Sequence, residues 1–510
     1  MTPNDHHPFG SFAEEVQTHA KDRPDHPAVV VEDASLSYQE LWHLAERMAA
    51  SLQREGVRSP AVVAVCAATS VEYVAAFVAC IHLGVAVAPL SPALSDATLS
   101  AMLDDAGASL IFTDDTTQEQ IARIIGNRRI KQVRLNDPAQ PLQDWLVPSG
   151  TAVEPVALSP DTPFNLIYSS GTTGIPKGIL QPHGMRWSHL QRARNTGYGP
   201  QAITLLGTPL YSNTTLVSAL PTLGLGGTVV LMRKFDAGHY LQLAQHHRAT
   251  HTILVPVQYQ RILAHPDFDQ TDLSSFRTKF CTSAPFSAAL KAETLRRWPG
   301  ELIELYGMTE GGGRCVLLAH LHPDKLHTVG RPSDGSMLLL DANDRPAGPG
   351  ETGEIVGRSD AMMTAYHNQP EKTAEVEWFN DAGERYIRTG DIGRFDEDGF
   401  LVLLDRKKDM IISGGFNIYP SDIEAVLATH ADIADVAVVG VPSQSWGETP
   451  VAFIQLRDHA TLTPDEAMHW VNSRLEKMQR VSAIVLVDDI PRNPIGKVLK
   501  RELRSALAPI

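Results

Sequence analysis

Between residues 36 and 55 the apolar positions Leu41, Leu44, Ala45, Met48 and Leu52 return at intervals of three and four. That spacing keeps them on one face of a helix and predicts an amphipathic α-helix there. A buried strand is expected at 61–66. Helix 71–83, strand 85–88, helix 96–106 and strand 109–113 then alternate across short polar joints, the rhythm of parallel βαβ units. The rhythm returns with strands at 204–206, 228–231, 252–255 and 278–281 and a helix at 237–247. Residues 73–90 are mostly apolar and approach the ~20 residues of a membrane span, but His82 and Gly84 interrupt them. A buried helix stopped by Gly84, followed by a short strand, is expected instead.

From 330 to 404 the texture changes to short β-prone runs at 336–340, 354–357, 386–388 and 401–404, separated by AGPGETG and DEDG. A small, mostly antiparallel β unit is expected. After Asp405 come the basic run RKKD, a strand at 410–413, and a helix capped by Ser421 with Asp422 and Glu424 in its first turn. The fold class is α/β: a large N-terminal lobe of two wound α/β subdomains plus a small β unit, then a small α+β C-terminal lobe.

Composition sharpens this picture. At 510 residues, 43% of them hydrophobic and 20% charged, the chain has the balance of a globular protein with several cores. Its 44 Lys and Arg against 59 Asp and Glu give a net charge of −15, which argues against broad nucleic-acid or anionic-membrane surfaces. Any phosphate ligand must then be held by a few placed cations. Cys66, Cys80, Cys281 and Cys315 lack metal or disulfide-framework spacing, and the first residues lack a secretory pattern, so a cytoplasmic protein is expected.

The most informative segment is 168–178, YSSGTTGIPKG, directly after the apolar run 164–167. Glycines let a backbone approach a phosphate closely, hydroxyls and amides surround its oxygens, and Lys177 offsets its charge. A P-loop would need Gly-Lys-Ser/Thr where the chain has Pro176-Lys177-Gly178. Taken alone the segment leaves a Ser/Gly-rich surface loop as the alternative reading.

It is accompanied by YGMTE at 306–310, RTGD at 388–391, DRKKDMIISGGFNIYP at 405–420 and PRNPIGK at 491–497. In this order the motifs resemble those of acyl- and aryl-CoA synthetases of the adenylate-forming, AMP-binding superfamily, whose members include 4-chlorobenzoate-, 4-coumarate- and fatty-acid-CoA ligases. The likeness runs from Ser37 to Arg504. It implies a large AMP-binding domain at 1–404, a hinge at 405–409 and a small mobile lid domain at 410–510. It also implies three small-molecule reactants: a carboxylic acid, ATP with Mg²⁺, and coenzyme A.

The resemblance assigns Ser169, Ser170, Gly171, Thr172, Thr173, Gly174 and Lys177 to the phosphates of ATP. Ser283, Ala284 and Pro285 fall beside adenine, although the family's loop there is richer in Gly and Ala. Tyr306 would stack on adenine within Tyr306-Gly307-Met308, Thr309 would meet the α-phosphate, and Glu310 would hold Mg²⁺ together with Ser169. Asp391 would bind the ribose diol and Arg406 the ribose and phosphate; Lys408 would be the pivot. Lys497 would offset charge as the adenylate forms, while Gly414, Gly415 and Trp446 would line a pantetheine tunnel. Read without the family, YGMTE is a turn, RKKD a solvated linker and Lys497 a tail lysine.

The acid pocket would involve Tyr211, Ser212, Asn213, Val257, Gly311 and Gly312. Relatives for aromatic and fatty acids often carry His where this chain has Ser212, so a roomy pocket is expected, for an aryl-propenoic, alicyclic or medium- to long-chain acyl acid. No charged side chain stands in 211–215 or 255–258, so an amino acid or dicarboxylate is expected to lack a partner. An amine or a carrier-protein thiol as acceptor, a luciferase-like oxidoreductase and a catalytically inert nucleotide-binding protein stay open as alternatives, as does a homodimer. No nucleic acid and no membrane span are expected.

Overall fold

The computed structural model describes residues 9–136, 142–169, 177–333, 335–413, 416–443, 445–492 and 498–507. The chain divides into two compact units, Met1–Leu326 with Arg358–Ile387, and His327–Gly357 with Arg388–Ile510.

In the first unit the opening amphipathic helix is Tyr38–Arg54, started by a reciprocal cap. The Glu40 amide donates to Ser37 Oγ (3.3 Å) and the Ser37 amide donates to the Glu40 carboxylate (2.8 Å). Helix Val71–His82 ends as expected, with Gly84 at φ +63°, a left-handed conformation that glycine adopts without a Cβ clash. Strands Val62–Cys66, Ala86–Pro89 and Leu110–Thr113 pair in parallel and are buried throughout, which explains their unbroken apolar runs. They belong to a seven-stranded sheet ordered Ala365–Tyr366, Lys177–Pro182, Pro163–Ser169, Ala86–Pro89, Val62–Cys66, Leu110–Thr113, Lys131–Arg134.

A second sheet runs Cys315–Leu318, Glu301–Tyr306, Thr278–Cys281, His251–Leu254, Ile203–Leu206, Thr228–Leu231, Pro27–Val31, Ala34–Ser37. Its strands from Glu301–Tyr306 to Pro27–Val31 are parallel. The N-terminal hairpin joins a strand about two hundred residues later in sequence, a pairing that local periodicity does not reveal. One core draws Val63, Val87 and Phe164 from the first sheet and Leu206, Val229 and Ile253 from the second, with Tyr38, Met48, Tyr73 and Phe77 from helices between them. Each large apolar side chain so buried contributes about 1.5–3 kcal/mol.

In the second unit Met337–Leu340 pairs antiparallel with Gly353–Gly357, and Leu401–Arg406 with the end of Arg385–Phe395, as the punctuated β texture implies. Its C-terminal part is a sheet of Phe416–Ile418, Ile411–Ser413, Gly447–Leu456 and Ile433–Ser443, with Ala483–Leu486 added in parallel. Ile423, Leu427 and Val471 from helices Pro420–Leu427 and Pro464–Asn472 pack onto it. One expectation fails here: Ser421 is not a cap. The helix begins at Pro420, whose fixed φ suits a first turn. The Ser421 amide instead donates to Asp405 (3.0 Å) and its hydroxyl to the Leu404 carbonyl, tying the helix to the preceding strand.

Among the described residues no helix is long and apolar enough to cross a membrane. All four cysteines are free and fully buried. Burial, with the nearby Asp114 charge, pushes the Cys66 thiol up to about 12, and burial raises the other three as well. Ellman's reagent is therefore expected to modify no cysteine of the native protein and all four after denaturation; rapid native labelling would contradict this packing.

Candidate active site

In the first unit the candidate residues gather where strands end. Pro163–Ser169 and Lys177–Pro182 form an antiparallel pair with Ser169 opposite Lys177. Ser170, Gly171, Thr172, Thr173 and Gly174, together with the Ser169 side chain, lie outside the described residues. The Lys177 ammonium sits 4.8 Å from the centre of the Tyr366 ring. Tyr366 reaches this place because Ala365–Tyr366 pairs with Lys177–Pro182, Tyr366 opposite Ile179. Its hydroxyl donates to Glu310 Oε1 at 2.8 Å. Tyr366 therefore joins the cation of one motif to the carboxylate of another, a role sequence reasoning missed.

Strand Glu301–Tyr306 delivers Tyr306 at its C-terminal end, with Thr309 and Glu310 just beyond; the parallel neighbour Thr278–Cys281 delivers Ser283, Ala284 and Pro285. The C-terminal ends of parallel strands are where α/β folds place ligands. Thr282 Oγ1 donates to the Leu305 carbonyl at 2.8 Å, locking the two strand ends together. Ser283 holds φ +78°, an uncommon conformation for a residue with a Cβ, and its hydroxyl meets Thr214 Oγ1 at 2.7 Å. That bond brings the predicted adenine loop against the predicted acid segment. Ser212 caps helix Asn213–Gly224, its hydroxyl accepting from the Thr214 amide at 3.3 Å, which is a local reason for serine there. Tyr211 and Asn213 are half-buried, and Val257 sits half-buried in the first turn of Pro256–Leu263.

Gly311 proves to be a backbone requirement. It holds φ +80° and bridges Met362, and a Cβ there would lie 2.0 Å from the Ala361 carbonyl oxygen. The Glu310 carbonyl accepts from the Met363 amide (2.7 Å) and the Gly312 amide donates to Ala361 (3.3 Å), so the segment after YGMTE is strapped down.

A buried polar network lies behind Thr309. Gln181 Nε2 donates to the Thr309 carbonyl (2.6 Å) and Asn165 Nδ2 to Gln181 Oε1 (2.9 Å). Arg186 donates to Asn165 Oδ1 (3.0 Å), Gln181 Oε1 and Asn213 Oδ1 (2.8 Å). Sequence reasoning passed over all three residues. The available signal was an asparagine and a glutamine at inward positions of apolar strands, where a polar group persists only with partners.

In the second unit Asp391 stands opposite Arg406 in the antiparallel register, and Arg406 Nε donates to Asp391 Oδ1 at 2.7 Å. The turn joining these strands closes with Gly399 N to Asp396 O (3.0 Å) and Asp396 N to Phe400 O (2.9 Å). Lys408 is exposed in the tight turn that follows, where the Met410 amide returns to the Arg406 carbonyl (3.0 Å). Ser413 pairs with Gly447, so Trp446, 53% exposed, adjoins the strand that leads to Gly414 and Gly415. Gly414, Gly415 and Lys497 lie outside the described residues.

Among the described residues no three His, Cys, Asp or Glu side chains cluster as a metal cage. Among the described residues Glu310 Oε2 meets no partner beside the Tyr366 contact at Oε1. One carboxylate oxygen suits Mg²⁺, which takes few protein ligands and fills its shell with phosphate oxygens and water.

Two family models match the chain. Residues 16–367 match the AMP-binding enzyme model and residues 422–497 the AMP-binding enzyme C-terminal domain. The chain is 33% identical to a feruloyl-CoA synthase of Amycolatopsis sp., covering 95% of this chain and 96% of that protein. It is also 33% identical to an indoleacetate–CoA ligase of Aromatoleum aromaticum, covering 98% of each. Among solved structures, ATP-bound MatB from Rhodopseudomonas palustris matches with a TM-score of 0.88 at 28% identity, over 97% of this chain and 98% of that one.

The close approach at Gly311 gives a direct test. Gly311→Ala must move Ala361 or abandon φ +80°, so it is expected to lower stability by more than about 2 kcal/mol in denaturant unfolding. A change within about 0.5 kcal/mol would show that the strap is loose.

Proposed function

The chain belongs to the AMP-binding enzyme family, and from that premise we propose that it is an AMP-forming carboxylic acid–CoA ligase. The observation that carries the reading is Glu310, with one carboxylate oxygen held by Tyr366 and the other open, next to the Lys177 ammonium over the same ring. A lone carboxylate and a lone cation at strand ends, in a chain of strongly acidic balance, suit a metal-bound polyphosphate.

In this reading Lys177 and the segment from Ser169 to Gly174 grip the β- and γ-phosphates, and Tyr306, Ser283, Ala284 and Pro285 surround adenine. Asp391 accepts from the ribose hydroxyls and Arg406 turns to ribose and phosphate. Glu310 and the Ser169 hydroxyl would hold Mg²⁺, which supplies neutralisation of phosphate charge. The substrate carboxylate attacks the α-phosphorus; an acyl O–P bond forms as the bond to pyrophosphate breaks. Thr309 and Lys497 stabilise charge on the α-phosphate and carboxylate during that step. The thiol of CoA, losing its proton, then attacks the acyl carbonyl and AMP leaves, giving the thioester. AMP is a competent leaving group where an oxide is not.

The acid sits between Tyr211–Asn213, Val257 and Gly311–Gly312, in a pocket suited to an aryl or extended acyl group. The proposed division is a large domain at 1–404, a hinge at 405–409 turning about Lys408, and a lid at 410–510. Lys497 and Trp446 both belong to the lid, so one mobile domain serves both half-reactions. Gly414 and Gly415 leave room for the pantetheine arm and the exposed Trp446 indole offers it a flat wall.

Lys497→Ala is expected to abolish acid-dependent ATP–pyrophosphate exchange while thioester formation from supplied acyl-adenylate and CoA survives; equal loss of both halves sinks the split. Tyr366→Phe removes one hydrogen bond to a carboxylate, so kcat/KM for ATP in the exchange assay should fall by about tenfold. An unchanged value would mean that Glu310 is positioned without it.

A further inference from the structure

Helix His183–Ala193 carries Arg186, His189 and Arg192 on successive turns. Arg186 is only 4% exposed, yet every acceptor it meets is a neutral amide: Asn165, Gln181 and Asn213. Its Nη1 is buried without a partner, and so is His189 Nδ1. Burial, helped by the charges of Arg186, Arg192 and Arg314, holds the His189 pKa well below the ordinary value. Asp360, near Arg192, is the carboxylate that acts on this group. Arg192 and Arg314 are half-buried, so Arg186 is the guanidinium of the three that is withdrawn from water, and among the described residues no carboxylate pairs with it. Burying a guanidinium without a counter-charge costs several kcal/mol, unlike burying a hydrogen-bonded ion pair.

The hydrogen-bond partners of Arg186 tie this charge to the acid segment. Asn213, which Arg186 grips at 2.8 Å, opens the helix at the acid segment, and Arg314 directly follows the Gly311–Gly313 run in the chain. Through Gln181 the same guanidinium is two hydrogen bonds from the Thr309 carbonyl, so the cluster is continuous with the reacting end of the site.

We propose that Arg186, with Arg314 and His189, forms a subsite for a second carboxylate, so that the acid activated by this enzyme is a dicarboxylic acid. The proposal rests on the adenylation reading above and narrows its substrate. A guanidinium with one edge committed to amides and Nη1 free presents an N–H donor to a carboxylate oxygen, and a charge-assisted bond of this kind discriminates strongly against a substrate lacking the anion. It also revises the expectation that a second carboxylate would lack a partner. The segments 211–215 and 255–258 are indeed uncharged, but the charge comes from the helix behind the first and from the residue after the glycines.

The test is acid-dependent ATP–pyrophosphate exchange with length-matched pairs, hexanoate against adipate and cinnamate against 4-carboxycinnamate. The dicarboxylate of at least one pair is expected to show a kcat/KM about tenfold or more above its partner. Arg186→Gln and, separately, the less buried Arg314→Gln should each reduce that ratio. The ratio is read rather than the absolute rate, so partial loss of folded enzyme does not imitate the result. Equal or better use of the monocarboxylates, or a ratio unmoved by both substitutions, overturns the subsite while leaving adenylation intact. Absence of exchange with every acid overturns the adenylation reading and this inference with it.

Discussion

Parallel strands have a direction, and the part of the first unit's candidate site around Tyr306 and Ser283 follows from where they stop. While a strand continues, its amides and carbonyls are consumed by the ladder and its side chains by the core; Thr278–Cys281 is buried at every position. Beyond the last paired residue both backbone and side chains become available. Glu301–Tyr306 and Thr278–Cys281 run side by side in the same direction, so their released ends emerge together. The hydrogen bonds from Thr282 to Leu305 and between Ser283 and Thr214 then fix those loose ends into one surface. The positive φ of Ser283 is strain that such over-determined surroundings tolerate.

Local features were legible in the sequence because their causes are local. Ser37 and Glu40 stand three residues apart, and Gly84 ends a helix through its own backbone. Ser421 misled because a serine before a helical pattern suits both a cap and a tether, and the neighbouring Pro420 decided between them. Tyr366 was invisible for another reason. It lies 56 residues from Glu310 in sequence, and only the two-residue strand pairing with Lys177–Pro182 brings it back. Asn165, Gln181 and Arg186 were hidden in the same way, since their meaning lies in one another and in no single segment. The motifs named candidate groups one segment at a time; the residues that hold the described ones in place came from the fold.

The net charge of −15 and the buried Arg186 are two scales of one electrostatic design. At long range the acidic surface repels polyanions, screened within about 8–10 Å at physiological salt. At short range a few cations in low-dielectric surroundings act strongly. The Arg406–Asp391 pair shows the intermediate case. Arg406 is substantially exposed, so the pair adds little to stability, and its partners can be exchanged for those of a ligand at small cost.

That pair also says something about chain length. Asp391 and Arg406 face each other because the turn between their strands, closed by Asp396 and Gly399, and a one-residue register shift between Ile392 and Gly393 together set the pairing. Side chains along a strand alternate between faces, so lengthening or shortening this turn by one residue would send one of the two to the opposite side of the sheet. The spacing between the two charged residues is therefore as much a part of the proposed ribose site as their chemistry. A turn that touches no substrate acts as the ruler by which the site is measured.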